Sequence, residues 1–537
     1  MIRFVVPILL VVAAILLGLA LPGIPWLIWL LIPVVLLLLV AAWDMIQTKH
    51  TLRRNYPIIA RTRWFFEDLR PYLRSYIVES DLDGRPFNHN DRALAYARAK
   101  DDISSHPFGT ELNVYSEEYD WLSHSIMPNE RAPLDFRVDV GGPQCTKPYS
   151  ASILNISAMS FGSLSAKAIE TLNLGAFKGG FYHDTGEGGF SPYHAKHGGD
   201  IVWEIGSAYF GCRTDDGRFD PEKFAKTAVL DQIKMIEIKL SQGAKPGQGG
   251  MLPGAKVNAE IAATRGIPIG IDCISPAAHT AFSTPIELLE FVQLLRTLSG
   301  GKPVGIKLCV GQPHEIFAIM KAMIETDIKL DFIVVDGGEG GTGAAPVELS
   351  DRVGMPLREG LILVNNALIG SGLRDDIRLA ASGKVISGAS LAMNAALGAD
   401  WSNSARGFMF ALGCVQSLQC HTDKCPTGIT TQSVSRQRGL VVTDKAERVY
   451  RFQKQTAAAL RDIVVSMGLE SPTQIRPHHL HERLNAVKSS SIDGIYPFLK
   501  PNALIDAPEA TPYSRFWAAA RTDSFRALPD IRQTSYN

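Results

Sequence analysis

The chain has 537 residues, 46% of them hydrophobic, with 54 basic and 54 acidic side chains and a formal net charge of zero. That length accommodates one large α/β barrel with flanking segments. The balanced charge gives no sign of a nucleic-acid partner or an acidic tail. Charge is nevertheless missing from the start: the 40 residues between Arg3 and Asp44 hold no Asp, Glu, Lys or Arg. Leu21-Pro22-Gly23-Ile24-Pro25 divides this run into residues 4–21 and 24–43, each near the roughly 20 residues that cross a hydrocarbon core. The Pro-Gly-Ile-Pro break is a tight-turn sequence, so residues 1–43 are expected to form a two-helix transmembrane hairpin, with Trp26, Trp29 and Trp43 suited to the interfaces. Arg3 precedes the run, and Lys49, Arg53, Arg54, Arg61 and Arg63 follow it. The positive-inside tendency therefore places both ends at the cytoplasmic face of the cell membrane, as a multi-pass anchor with the catalytic body in the cytoplasm. The alternative is a cleaved signal peptide, whose apolar region would span only about 7–15 residues with no second apolar segment directly after it.

Residues 44–150 read as a charged and aromatic lead-in with a helical stretch at 91–100. From about 151, short β-branched runs alternate with helical ones. Candidate strands cover 152–159, 181–184, 201–205, 235–240, 269–274, 304–309, 332–336, 377–381 and 401–405. Helical patterns lie at 165–177, 285–298, 314–325 and 389–397. Alternation of this kind argues for a parallel sheet covered by helices. A (β/α)₈ TIM-type barrel is expected rather than an open doubly wound sheet, because polar and glycine-rich residues recur at strand ends, which converge on one face of a barrel. Nine candidates compete for eight places, and 269–274 is the weakest because it runs directly into Ser275-Pro276. An amphipathic helix is expected over 443–468, with Val449, Phe452, Leu460, Ile463, Val464 and Met467 on one face and Gly468 as its C-cap. The barrel unit is taken as 151–470, followed by a tail, 471–537.

Three of the seven cysteines fall together as Cys414-x5-Cys420-x4-Cys425-Pro426-Thr427-Gly428. Soft thiolates suit iron–sulfur clusters, and three ligands suit a three-iron cluster. Zinc usually takes four ligands; His421 beside Cys420 makes an awkward fourth. Unligated core thiols are the remaining reading. His194-x2-His197 and His478-His479-x-His481 read as surface or loop histidines rather than metal sites, and the other four cysteines as small buried hydrophobes. Gly338-x-Gly340-x-x-Gly343 satisfies a dinucleotide fingerprint formally, but Ala344-Ala345-Pro346 intervenes before any helix, so a flavin or active-site loop is preferred.

The cysteine spacing, followed by Pro426-Thr-Gly-Ile-Thr-Thr-Gln432, resembles the [3Fe-4S] segment of the glutamate synthase large subunit. The likeness continues upstream in the same order. Residues 157–165 (SAMSFGSLS) resemble that family's first barrel strand and loop. Asp184-Thr-Gly-Glu-Gly-Gly189 resembles its Asn-Thr-Gly-Glu-Gly-Gly element. Residues 237–247 (EIKLSQGAKPG) resemble its substrate loop, and Gly340-Gly-Thr-Gly343 with Ala-Ala-Pro346 resembles its Gly-Gly-Thr-Gly-Ala-Ser-Pro element. Together these cover roughly residues 150–470.

The resemblance implies a flavin and iron–sulfur oxidoreductase acting on CH–NH2 donors, with FMN and a [3Fe-4S] cluster on Cys414, Cys420 and Cys425. FMN phosphate is expected at Ser382, Gly383, Lys384 and Gly388, in a loop ahead of a helix. Ser160 and Gly341 are further expected contacts. Lys307 would sit beside flavin N1 and O2; the alternative is a barrel lysine paired with a carboxylate. Gln242, Lys245 and Arg265 are the implied carboxylate clamp. Lys245 and Glu187 are the implied catalytic pair, with Glu187 orienting or protonating an imine, or only holding a loop amide. The expected reaction is reductive amination of 2-oxoglutarate to L-glutamate. Electrons would come from an external donor, such as ferredoxin or a reductase subunit. Ammonia would come from a separate source, because the hairpin stands where the family carries its glutaminase domain. Met251 departs from the pattern: the family's Gly-Gly-Gln-Leu-Pro-Gly reads Gly-Gly-Met251-Leu-Pro-Gly here. That favours, as an alternative, an FMN oxidoreductase acting on another amine or N-substituted amino acid. A non-catalytic, membrane-anchored electron-relay subunit would not need Lys245, Arg265 and Glu187.

Overall fold

In a computed structural model describing residues 2–103, 105 and 107–528, eight short strands close into a parallel barrel in chain order. They are β1 (Leu154–Ile156), β2 (His183–Asp184), β3 (Ile201–Ile205), β4 (Ile233–Lys239), β5 (Val304–Leu308), β6 (Phe332–Asp336), β7 (Arg378–Ser382) and β8 (Trp401–Ser404). Closure is direct, since β8 pairs with β1 through Asn403 and Asn155. Eight of the nine expected runs are the eight barrel strands. The ninth, 269–274, contributes only Cys273–Ile274, which pairs antiparallel with Met251–Leu252 outside the barrel. Its extension is stopped by Ser275-Pro276, since proline supplies no ladder N–H.

The chain divides into two units, Met1–His89 and Asn90–Asn537. In the first, α1 (Ile2–Ala20) and α2 (Ile28–Ile46) pack together as a helix–turn–helix. Residues Pro25–Ile46 are apolar and, at 22 residues, long enough to cross a membrane, whereas Phe4–Ala20 is apolar but shorter. The apolar side chains face outward, as at Leu19 and Trp29. The carboxylate of Asp44, at the end of α2, is buried and accepts from Arg61 Nη2 at 2.7 Å and from the Ile58 amide at 3.1 Å, which fixes the chain as it leaves the helix.

In the second unit the barrel is covered by α3 (Ala166–Gly179), α4 (Pro221–Ala228), α5 (Pro285–Leu298), α6 (Pro313–Thr326), α7 (Leu357–Gly370), α8 (Gly388–Ala396) and α9 (Arg406–Leu412), with α10 (Val442–Ser466) laid across α3 and α8. Helix α5 starts as its sequence directs: Thr284 accepts from the Glu287 amide, the Glu287 side chain returns to the Thr284 amide, and Pro285 occupies the first turn. Small residues allow α10 to seat closely. A Cβ at Gly175 would overlap Val449, and one at Gly388 would lie 2.6 Å from the Leu460 amide nitrogen. The lead-in and the tail meet in a sheet not foreseen from sequence, in which Asp120–Leu122 pairs with Leu480–Asn485 and that strand with Lys488–Ser491.

At the N-terminal end of the barrel, Asp331 is the keystone. Its carboxylate accepts from the Gly142 amide (2.8 Å), the Val304 amide (2.7 Å) and Arg296 Nη2 (3.0 Å), with both charged side chains at most 3% exposed. One side chain thus joins the starts of β5 and β6, helix α5 and the loop before β1. Breaking such a pair leaves a buried charge uncompensated, so Asp331→Ala should lower the unfolding free energy of the full chain by about 3–5 kcal/mol in a urea titration. A loss below about 1 kcal/mol would contradict that role.

Candidate active site

The C-terminal strand ends converge on a mouth covered by the long excursion between β4 and β5. Glu187 follows β2 on a single turn whose start is held by Asp184, which accepts from the Gly186 amide at 2.9 Å. Its carboxylate pairs at 3.1 Å with Lys239, the last residue of β4, and Lys239 also donates to Gln242 Oε1 at 2.6 Å. Burial alone would raise the Glu187 pKa, but Lys239, and more weakly Arg265 and Lys245, outweigh it and hold the carboxyl below its ordinary value. Glycine is required around this group. A Cβ at Gly250 would overlap the Glu187 carboxylate, and one at Gly206 would lie 2.8 Å from its Cβ.

Lys245 is buried, yet its ammonium makes no hydrogen bond or ion pair among the described residues. Burial lowers its pKa, opposed by Glu187 and reinforced by Lys239. It opens on a cavity of about 520 Å³ whose other walls include Met251, Ile274, Ala277, Ala344 and Pro346. Arg265 closes the helix Ala259–Arg265 and is also buried, and its Nε has no hydrogen-bond partner among the described residues. Its Nη2 donates to the Phe161 carbonyl at 3.0 Å and to Ser160 Oγ at 3.2 Å, and Nη1 faces Cys273 Sγ at 3.7 Å. Of the expected substrate and catalytic residues, the structure brings Glu187, Gln242 and Lys245 to one face of the mouth, and Arg265, which meets Ser160 on the loop after β1, also acts on Glu187.

Lys307 lies inside the barrel. It is ion-paired with Glu204 and lies 3.5 Å from Glu237, with all three side chains at most 5% exposed. Asp184 completes the group, since carboxylate oxygens of Asp184, Glu204 and Glu237 lie within 4.8 Å of one another. Burial works to lower the Lys307 pKa, but Glu204, Glu237 and Asp184 more than reverse this. Its charge is therefore already compensated by protein. Three carboxylates against one ammonium cannot all ionise in such a place. Burial, then Glu204, pushes Asp184 up to about 7, and burial with Asp184 raises Glu237 well above its ordinary value.

The loops after β6, β7 and β8 meet at the opposite side of the mouth. Gly383 (φ 147°) and Lys384 (φ 48°) turn the chain after β7, and Ser387 caps α8 by accepting from the Ser390 amide. Arg406, at the start of α9, donates to the Glu339 carbonyl at 2.7 Å and lies where a Cβ on Gly341 would come within 2.9 Å of its Nε. Burial pulls the Arg406 pKa down to about 10, against the opposing pull of Asp336 and Glu339. Two cations and a glycine-lined turn suit a phosphate group. At two further expected phosphate contacts, Ser382 Oγ lies 3.3 Å from Ser157 Oγ, and Gly388 at the start of α8 packs its Cα side against α10.

Cys414, Cys420 and Cys425 lie on the loop that leaves α9, wrapped by residues at positive φ (Gln416, Leu418, Asp423). The thiols act on one another. Burial and the other two thiols push Cys414 up to about 12. At Cys425 burial is outweighed by the Thr427 hydroxyl, 3.3 Å from its Sγ, together with neighbouring backbone groups, and its pKa is lowered. Such donors suit a sulfur ligand carrying negative charge, whereas His421 is exposed. The loop is stitched to the one after β1. Gln432 Nε2 donates to the Gly162 carbonyl at 3.0 Å, and Lys256 Nζ donates to the carbonyls of Cys420 (3.0 Å) and Ser163 (3.2 Å).

Lys239, Lys256 and Arg406 were not singled out from sequence. The one signal available was a cation within or beside an apolar run, which is weak on its own. His194 is buried against Ser191, and His197 faces Glu170 at 3.3 Å, so the two do not converge on a metal.

Residues 132–470 match the family model described as the conserved region in glutamate synthase. A glutamate synthase large subunit-like protein of Bacillus subtilis (strain 168) is 34% identical over 505 residues, covering 86% of this chain and 96% of that relative. The archaeal-type NADPH glutamate synthase of Dehalococcoides mccartyi is 30% identical over 328 residues, 61% of this chain and 62% of that relative. The archaeal NADPH glutamate synthase of Methanocaldococcus jannaschii is 34% identical over 333 residues, 62% of each chain.

Asp184 binds its proton more tightly in the fold than in the unfolded chain, where its ordinary value is 3.8. Its contribution thus favours the fold at low pH and is lost as pH climbs from about 4 through about 7. Facing Glu204, Glu237 and Lys307, Asp184→Asn removes that titration. The melting temperature of the wild type relative to D184N should fall between pH 5 and 8, and parallel curves would refute the shared-proton arrangement.

Proposed function

The chain belongs to the family defined by the conserved region in glutamate synthase, and on that premise we propose that it reduces the imine of a 2-oxo acid to an L-amino acid. Family membership supports 2-oxoglutarate with ammonia, giving L-glutamate, as the reaction. The observation that carries the reading is the Lys245 ammonium, buried, without a partner among the described residues, and facing a cavity. Such a group calls for an anion, and a substrate carboxylate meets it with a charge-assisted hydrogen bond. Glu187, held ionised by Lys239, accepts from the N–H of the protonated imine and stabilises its positive charge, so its part is orientation and electrostatics rather than proton donation. The loops over the mouth exclude water from the reacting carbon.

FMN fits the chain's donor set, with Lys384, Arg406, Gly383 and Gly341 holding its phosphate. When bound, it would supply two-electron chemistry at the mouth. Cys414, Cys420 and Cys425 would hold a [3Fe-4S] cluster, which would supply single electrons. The donor would be ferredoxin or a reductase subunit, and the ammonia would come from elsewhere. We place α1 and α2 in the cell membrane as a two-helix anchor, with the barrel on the cytoplasmic side. One arm has the length for it, and the cations after α2 suit that orientation. A second reading, an oxidoreductase for another amine or N-substituted amino acid, is favoured by Met251, whose thioether is 51% exposed at the cavity.

Protein purified anaerobically should contain flavin and iron in its absorption spectrum and metal analysis. Lys245→Ala should retain both yet lose about 100-fold in kcat/KM for reoxidation of the reduced enzyme by 2-oxo acid and ammonium, the scale expected for losing a charged hydrogen bond. Unchanged turnover would remove the carboxylate role.

A further inference from the structure

The chain that leaves the helical hairpin carries a second amphipathic element. Along helix Arg61–Leu73 and the wider turn Arg74–Val78, apolar side chains recur in two adjacent rows. Phe65, Leu69 and Tyr72 form one, at i, i+4 and i+7, and Phe66, Leu73 and Ile77 form the other. Phe65, Phe66 and Ile77 are between 57% and 74% exposed, so the rows face outward. The side turned away from them is engaged within the unit. Trp64 meets the His50 ring at a centroid distance of 5.3 Å, and the Arg53 guanidinium lies 4.3 Å over its indole. Arg63, Arg70 and Arg74 run along the edge of the second row. Residues 49–79 hold seven basic and three acidic side chains. Arg63 pairs with Glu67 and Arg74 with Glu79, which leaves the segment positive, and Arg70 makes no ion pair among the described residues.

We infer that this helix lies in the plane of the membrane surface, its apolar rows dipped into the lipid and its arginines on anionic phospholipid headgroups. This rests on the placement of α1 and α2 in the membrane proposed above and adds a lipid-binding surface to it. Position supports it. Arg61, the first residue of the helix, donates through Nη2 and Nε to the Asp44 carboxylate at 2.7 and 2.9 Å. The helix therefore starts one ion pair from the end of α2, the level at which a spanning helix leaves the hydrocarbon and aromatic rings are favoured. An apolar face bordered by arginines, whose stems can lie along lipid while their charges stay in water, is the pattern of an interfacial helix. A second copy of the chain fits this face poorly, because pairing it with itself sets one arginine border against the other.

The test uses the full-length protein in nanodiscs of phosphatidylcholine, with or without about 30% phosphatidylglycerol to supply surface charge. Hydrogen–deuterium exchange of residues 61–78 should be about 10-fold slower in the anionic discs, a difference within reach of a few juxtamembrane arginines. Salt at about 0.5 M should shrink it, since headgroup contacts are screened. Phe65→Asn with Ile77→Asn, and separately Arg70→Gln, should each reduce the difference; these side chains are exposed, so the fold is spared. Equal exchange in the two discs, or variants that keep the full difference, overturns the inference. So does protection in detergent that rises with protein concentration, which assigns the face to a second copy. Release of the full chain from membranes by alkaline carbonate overturns both the inference and the placement of the hairpin. Retention with equal exchange overturns the inference alone.

Discussion

Glu187 governs which charges remain available at the mouth of the barrel. Its carboxylate sits where Gly206 and Gly250 leave just enough room, so the loops after β3 and β4 close upon it. It captures Lys239, and Lys239 captures Gln242. Two of the polar groups on the β4 loop are thereby immobilised, and Lys245 is left facing the cavity. An ion pair this enclosed has lost most of its hydration, so its main effect is to specify an arrangement rather than to add stability. The arrangement it specifies has one cation facing the cavity, with the other committed to protein.

Beneath that layer the barrel is filled with charge where many barrels carry branched aliphatic side chains. Glu237 and Lys239 project inward two residues apart on β4, so one side chain of the strand serves the interior and the other the mouth. Lys307 from β5 bridges Glu204 and Glu237 from β3 and β4, and Asp184 joins from β2. Four consecutive strands are therefore held in register by one cluster whose net charge must be reduced by retained protons. Lys307 is thus paired with carboxylates, the alternative the sequence left open beside a place at the flavin. Asp184 also stands where the resembling motif has asparagine, which adds one carboxylate to the cluster.

Much of the architecture was legible because its signals were local and periodic. The strand runs, the alternating helices and the long amphipathic helix all lie within a residue or a few of their expected places. Even the weakest strand candidate was marked by the proline that limits it. The pairing of 120–122 with 480–485 was not legible, because strand partners more than 350 residues apart leave no trace in either segment alone. The contacts of the expected site residues were not legible in the sequence. Arg265 and Lys245 look equivalent as cations in a sequence, and only the fold shows that a backbone carbonyl and a serine engage one while the other faces open space. Gly388 likewise reads as a phosphate-loop glycine, yet the room it makes is taken by α10.

The contacts of Lys256 bear on how the cysteine loop is held against the barrel mouth. Its ammonium, buried at the edge of the substrate loop, donates at once to Ser163 beyond β1 and to Cys420 in the cysteine loop. Burial lowers its pKa, while Asp423, Cys420 and Cys425 work against that. Gln432 makes a second link, from the cysteine loop to Gly162 and Leu164. Here the thiol loop, the loop after β1 and the substrate loop share hydrogen bonds through a single buried lysine. None of the three can move by much without leaving that charge, or a buried carbonyl, unsatisfied, which costs about 1–3 kcal/mol or more. The stitching thus makes the position of the thiol loop against the loop after β1 a property of the fold rather than of a flexible loop.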